Sequence, residues 1–337
     1  MVLENVIEVN NLVKVYPGGT RAVDELSFSI KKGEIYGLLG PNGAGKTTTI
    51  SILATILKPT SGEARIMGYD VVKESNMVRK CIGIVFQDFS LDQWLTVREN
   101  LDFHARIYGL SKKERKERID YVLELVDMKS NENTLVRYLS GGMKRRVEIA
   151  RGLIHYPKVL FLDEPTTGLD VQTRILIWDQ IKKLNKEYEI TILLTTHYME
   201  EANKLCNRVL IMDHGKKMAE GAPEELKSNI GGDTIEIGGD ATKITNVLQK
   251  NGFEPVSVAD SKVTILVKNA DAILPKIVGE LLREGVELQS LHLSRASLDD
   301  VFLRLTGRRI RDSLLSGSDV MRAHAAMRER AMQRRWK

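Results

Sequence analysis

The segment Gly40-Pro-Asn-Gly-Ala-Gly-Lys-Thr47 has the make-up of a loop that holds a chain of phosphates. Its glycines let backbone N–H groups turn inward with no Cβ in the way. Lys46 brings a cation to the outer phosphates, and the Thr47 hydroxyl is a Mg²⁺ ligand of the type phosphate chemistry uses. A helix is expected to start at Lys46, so its positive end adds to the field. Gly40, Asn42, Gly43, Ala44, Gly45, Lys46, Thr47 and Thr48 are the candidate nucleotide contacts. A second element, Val159-Leu-Phe-Leu-Asp163-Glu164-Pro165, is an apolar strand that ends in two carboxylates. Asp163 would complete the shell of the Mg²⁺, and Glu164 would orient or deprotonate an attacking water. Alone, such an acidic pair is a solvated turn. Beside a phosphate loop it becomes half of a hydrolytic site.

Upstream of Asp163, Leu139-Ser140-Gly141-Gly142-Met143 opens a helix. Ser140 and the amides of Gly141 and Gly142 form a second anion site at a helix start. With the phosphate loop and the acidic strand, this segment resembles the LSGGQ signature of the ABC ATPases. The resemblance covers about residues 4–228 and implies binding of ATP with Mg²⁺. It also implies a pair of ATPase subunits, expected to be a homodimer, in which the signature of one faces the phosphate loop of the other. By the same resemblance Tyr16 stacks on adenine and Gln87 senses Mg²⁺ and water. Gly168-Leu169-Asp170 crosses the dimer interface, and His197 contacts the γ-phosphate. Thr47, Gln87 and Asp163 are then the metal residues; Glu164, His197 and Gln87 are the catalytic ones. Met143 stands where the family has Gln, which removes a hydrogen-bonding side chain without touching the phosphate contacts of Ser140.

Two further blocks narrow the resemblance. Gln93-Trp-Leu-Thr-Val-Arg-Glu-Asn-Leu101 with Ala105–Leu110, and Leu298-Asp-Asp-Val-Phe-Leu303 with Leu305-Thr-Gly307, are similar to exporters of the daunorubicin-resistance type. There the membrane-spanning subunit is a separate polypeptide of the ABC-2 class. A soluble ABC ATPase acting on nucleic acid or the ribosome is the competing reading. It is disfavoured by one phosphate loop per chain and by the lack of a zinc or coiled-coil insertion. A regulatory module that holds ATP without turnover is disfavoured by Glu164, Gln87 and His197.

These residues must be carried by an α/β fold. Residues 1–30 alternate apolar and polar positions, as half-buried antiparallel strands do. Short apolar strands then recur at Glu34–Leu39, Ile82–Phe86, Val159–Asp163, Thr191–Thr195 and Arg208–Met212. Helical stretches Lys46–Leu57, Thr96–Tyr108, Lys112–Val126, Gly141–His155 and Val171–Lys186 lie between them. That alternation predicts a mostly parallel sheet buried on both faces, joined to an antiparallel subdomain and a helical one. After a glycine-rich break, residues 229–308 read strand, helix, strand, strand, helix, strand, a ferredoxin-like α+β accessory or regulatory domain. Residues 1–228 are then the ATPase domain and 309–337 a tail.

The tail carries eight Lys/Arg against three Asp/Glu, the whole of the chain's formal net charge of +5. It is a candidate contact for an anionic membrane surface, whereas the near-neutral remainder argues against a nucleic-acid partner. Two cysteines, Cys81 and Cys206, form no disulfide framework or metal knuckle. No apolar run reaches the length of a membrane span and the start lacks a signal-peptide pattern. The expected place is the cytoplasm, on the inner face of the cell membrane through the membrane partner.

Overall fold

A computed structural model describes residues 4–229, 232–259, 261–268 and 270–307. It divides the chain into two compact units that meet between Gly221 and Ala222.

The first unit begins with β1 (Asn5–Val15) and β2 (Arg21–Lys31), an antiparallel pair with alternating burial. With β4 (Ser61–Ile66) and β5 (Tyr69–Asp70) they form a four-stranded antiparallel sheet, ordered β2-β1-β4-β5. A second sheet contains β3 (Ile35–Leu39), β6 (Ile82–Val85), β7 (Val159–Asp163), β8 (Thr191–Thr196), β9 (Arg208–Asp213) and β10 (Lys216–Gly221). Its order is β10-β9-β3-β8-β7-β6, parallel throughout except for the β9–β10 pair. Every residue of β3, β7 and β8 is buried, because helices cover a parallel sheet on both faces. The helix α1 (Lys46–Leu53) packs into a core shared by the two sheets, where Ile50 and Leu53 meet Ile7, Leu26, Phe161 and Leu210.

α2 (Ser75–Cys81) leads into β6. Then follow α3 (Val97–Ile107), α4 (Lys112–Leu125) and α5 (Gly141–Gly152), which pack on one another. Their starts are set locally: Thr96 with Glu99 and Ser111 with Glu114 form capping boxes, and Ser140 caps α5. α6 (Val171–Tyr188) turns Ile177, Ile181 and Leu184 inward, the stripe its spacing predicts, and buries Trp178 beside them. α7 (Met199–Leu205) returns the chain to β9.

Several predicted boundaries move. α1 stops at Leu53 rather than Leu57, because Thr55 takes a left-handed φ of 64° that a helix cannot continue through. α5 stops at Gly152 rather than His155, and α6 runs on to Tyr188. The short elements β4, β5, α2 and β10 had no periodic signature long enough to announce them.

The second unit contains α8 (Pro223–Asn229), β11 (Asp233–Gly239), α9 (Ala241–Lys250), β12 (Pro255–Ala259), β13 (Lys262–Val267), α10 (Ala270–Arg283), β14 (Leu288–Ser294) and α11 (Leu298–Thr306). Its four antiparallel strands are ordered β12-β13-β11-β14, the split βαβ arrangement of a ferredoxin-like unit. A core of its own joins Ile235, Ile237, Ile244, Leu248, Val263, Ile265, Ile277 and Leu281. α8 packs on α11, so the unit starts at Ala222, a few residues before the Ser228 boundary expected from the sequence. The basic tail lies outside the described residues.

Candidate functional site

The parallel sheet gathers the chemistry at one end. Leu39 of β3 pairs with Thr196 of β8, Asp163 of β7 with Thr195, and Val85 of β6 with Leu162. The phosphate loop after β3, Gln87 after β6, Glu164 after β7 and His197 after β8 therefore all leave the carboxyl ends of parallel strands. That is where ligands bind in open α/β sheets.

Geometry in the loop is dictated by close backbone approaches. Gly45 has φ +100° and a Cβ there would meet Ala22 O at 2.2 Å; at Gly40 it would meet Met212 O at 2.3 Å. Glycine is required at both. Lys46, 4% exposed, donates to Gly40 O at 2.8 Å and Pro41 O at 3.0 Å. Its Nζ is also 3.5 Å from Glu164 Oε1. Burial, the largest influence, lowers the Lys46 pKa, while the Glu164 and Asp163 carboxylates oppose it. Asn42, Gly43 and Thr47 are exposed on the loop and Ala44 is buried beneath it. Tyr16 lies beside the loop's end, its Oη 3.3 Å from Thr48 Oγ1.

Asp163 and Glu164 are neighbours with different surroundings. Asp163 Oδ1 accepts from Thr47 Oγ1 at 3.2 Å and from Thr195 Oγ1. Burial raises its pKa, against the lowering effect of those two hydroxyls. Glu164 takes a left-handed φ of 47°, a conformation costing about 1–3 kcal/mol that clusters at working sites. Its backbone N–H donates to Thr195 Oγ1 at 3.0 Å, which holds the turn. Its Oε2 lies 3.2 Å from His197 Nδ1 and accepts from Thr167 Oγ1 at 3.1 Å. Burial alone would raise the Glu164 carboxyl, yet the approach of His197 and the Lys46 charge hold it below the usual range. A carboxylate kept ionised next to a phosphate cradle can accept a proton from water or orient it.

For Mg²⁺ the residues fit a particular kind of site. Among the described residues no cluster of three His, Cys, Asp or Glu could cage a metal. Thr47 and Asp163, already within hydrogen-bond reach of each other, supply a hydroxyl and one carboxylate. That sparse oxygen set suits Mg²⁺ held jointly by protein, phosphate oxygens and water.

Other expected residues stand apart from this cluster. Gln87 is exposed, and its carbonyl accepts from Arg145 Nη2 at 2.7 Å. Ser140 accepts from Met143 N at 3.2 Å as a helix cap, and no hydrogen bond joins Ser140, Gly141 or Gly142 to the phosphate loop among the described residues. Gly142 lies against α6, where a Cβ would meet Thr173 Cγ2 at 2.2 Å. Asp170 spends its carboxylate on capping α6, accepting from Thr173 N at 2.9 Å. Residue spacing alone did not single out Thr195, Thr167 or Arg145. Only the β7–β8 register could have placed Thr195 under both carboxylates. Glu201 was also unforeseen: fully buried, it accepts from Thr166 Oγ1 at 2.7 Å and Trp178 Nε1 at 2.8 Å.

A phosphate loop, an acidic strand end and a doubly wound sheet define a nucleoside triphosphatase of the phosphate-loop class. Residues 23–167 match the family model of the ABC transporter, and residues 221–306 that of the C-terminal domain of DrrA1-3-like ATP-binding proteins. The daunorubicin/doxorubicin resistance ATP-binding protein DrrA of Streptomyces peucetius is 40% identical over 89% of this chain and 92% of its own length. The Nod factor export ATP-binding protein I of Paraburkholderia xenovorans is 42% identical over 92% and 99%. Among solved structures, cbiO1 of Clostridium perfringens superposes with a TM-score of 0.63 at 31% identity, over 74% of this chain and 98% of that one. The ATP-binding cassette MJ0796, solved as a dimer bound to ADP and Pi, gives 0.58 at 31% identity, over 64% and 98%. The chain belongs to the ATP-binding subunits of ABC transporters and is an ATPase.

Proposed function

We propose that two copies of this ATPase close on two ATP molecules and drive export through a separate membrane-spanning subunit. The observation that carries the reading is the division of the nucleotide machinery. Lys46, Asp163, Glu164 and His197 converge at one sheet end, while Ser140–Gly142 form an anion-binding helix start without a bond to that cluster. A second chain bringing its own Ser140 to the γ-phosphate completes each site. Tyr16 then stacks on adenine, and the amides of Gly43 to Thr48 with Lys46 cradle the phosphates. Thr47, Asp163 and Gln87 would hold Mg²⁺, which supplies neutralisation of the charge that develops on the phosphate oxygens. Glu164 orients and deprotonates the water, and His197 steadies the Glu164 carboxylate and meets the γ-phosphate. Asp170 lies on the segment that crosses to the partner.

The membrane contact is assigned to segment 88–109. It leaves Phe89, Trp94, Phe103 and Ile107 exposed, Trp94 by 74%, and Phe103 and Ile107 are one turn apart on α3. Apolar groups on a polar surface mark a docking site. Among the described residues no helix is long and apolar enough to cross a membrane, which is in keeping with a second polypeptide providing the path. The names of the relatives, one for daunorubicin/doxorubicin resistance and one for Nod factor export, favour export as the direction of transport. The second unit is read as an accessory, regulatory domain, and the basic tail as a contact for anionic lipid on the cytoplasmic face.

Glu164→Gln tests the core of this reading. Turnover should fall by about 10²–10⁴-fold with ATP affinity kept, and ATP should convert the variant from monomer to dimer in light scattering. Wild-type turnover in this variant would overturn the assignment of Glu164.

A further inference from the structure

Arg145 is 1% exposed, the largest fully buried side chain among the described residues. It sits in the first turns of α5, the helix that Ser140 opens, and its guanidinium meets the chain that follows β6. Nη1 donates to Phe86 O at 2.6 Å and Nη2 to Gln87 O at 2.7 Å. The guanidinium carbon lies 4.9 Å from the centre of the Phe89 ring. Further along the same helix, Glu148, fully buried, accepts from Ser90 N at 2.6 Å. Arg151 donates to Ser90 O at 3.2 Å and pairs with Glu148 at 2.6 Å. Positions 145, 148 and 151 follow one another at the i, i+3 spacing of a single helix face. The backbone of residues 86–90 is therefore gripped at three points by one side of α5.

We infer that Arg145 is a positioning residue that ties the signature helix to Gln87, so that nucleotide held by Ser140–Gly142 sets the loop of the same chain's own site. This rests on the paired-chain reading above and extends it: each chain senses its partner's ATP with one end of α5 and reports it to its own water-orienting loop. A buried guanidinium is costly, and a packed apolar residue would serve stability as well or better. What the guanidinium adds is a planar fork with fixed directions. Two carbonyls held by one fork follow α5 as a body, because a helix transmits displacement along its length with little deformation. Burial is the largest influence on the guanidinium and works against its charge, and the carboxylates of Glu148, Asp163, Asp88 and Glu201 oppose it. Lysine at this place would keep the charge but lose the fork.

The test uses the full chain with Arg145→Lys, and Ser90→Ala as a milder variant that removes the Ser90 hydroxyl's bonds to Glu148 and Arg151 while leaving the Arg145 fork in place. In Arg145→Lys, kcat should fall about ten- to hundred-fold, as displacement of a catalytic group does. KM for ATP should stay within about two-fold, the Mg²⁺ concentration for half-maximal turnover should rise, and the cooperativity in ATP expected of two coupled sites should weaken. Ser90→Ala should move each quantity the same way by less. Arg145→Lys combined with Glu164→Gln should still dimerise with ATP. Unchanged kcat, Mg²⁺ dependence and ATP dependence in a folded Arg145→Lys protein would overturn the coupling and leave the paired-chain reading intact. Loss of the ATP-induced dimer in the combined variant would also overturn it, since Arg145 would then be holding the interface itself. A Glu164→Gln protein that stays monomeric with ATP would bring down the paired-chain reading and this inference together.

Discussion

Two adjacent carboxylates at the end of β7 are driven in opposite directions. Asp163, enclosed and accepting from the Thr47 and Thr195 hydroxyls, has its pKa raised by burial; Glu164, facing His197 and Lys46, is held below the ordinary glutamate value of 4.5. A depressed pKa keeps Glu164 ionised through neutral pH, and the proposed base is lost only when the pH falls through that lowered value. Turnover should therefore show no acid limb from Glu164 between neutrality and the usual carboxylate range. Removing His197 takes away the largest of the lowering influences and leaves burial, which raises. The residual turnover of His197→Ala should lose activity at a higher pH than the native chain does. A pH profile of kcat for both proteins checks this, and an unmoved acid limb would separate His197 from the charge of Glu164.

Elements meet in this protein where side chains are missing. Gly142 lets α5 approach α6 until a Cβ would touch Thr173 Cγ2 at 2.2 Å. Gly142→Ala should thus cost about 1–3 kcal/mol by overpacking, in addition to any effect on nucleotide. Thr173→Ser removes the clashing methyl while keeping the hydroxyl that donates to Asp170. The double variant should recover most of the thermal stability lost by Gly142→Ala, and a double-mutant cycle with no coupling would refute the contact as the cause. Stability that returns in the double variant without activity would separate the packing of Gly142 from its proposed part in binding nucleotide.

The whole chain is two units with separate cores, and the cut between them has a consequence. α8 belongs to the second unit through α11, and Leu226 is only 5% exposed. A chain ending at Ser228 keeps α8 but not its packing partner, and so exposes Leu226. A chain ending at Gly221 does not. The shorter protein should be the less aggregation-prone, by light scattering on heating, and should keep ATP binding. If both behave alike, α8 has no dependence on the second unit.

Much of this was legible in one dimension. The phosphate loop, the acidic strand end and the signature are contiguous segments, so residue type and spacing carry their chemistry directly. Ser140 as a cap and the stripe of Ile177, Ile181 and Leu184 were equally local, and the strand–helix alternation set the fold class. What no window of sequence contains is register. Thr195 supports Asp163 and Glu164 only because β8 pairs with β7 in one alignment out of several the apolar runs allow. Arg145 looked like one more cation after the signature until packing of α5 on β6 buried it against the Phe86 and Gln87 carbonyls. The end of α1 at Leu53 was likewise decided by the backbone turn at Thr55 and not by the apolar periodicity, which runs on to Leu57. Short-range chemistry is written into neighbouring residues, but burial and strand register arise from contacts between segments far apart in the chain, and only the folded protein specifies them.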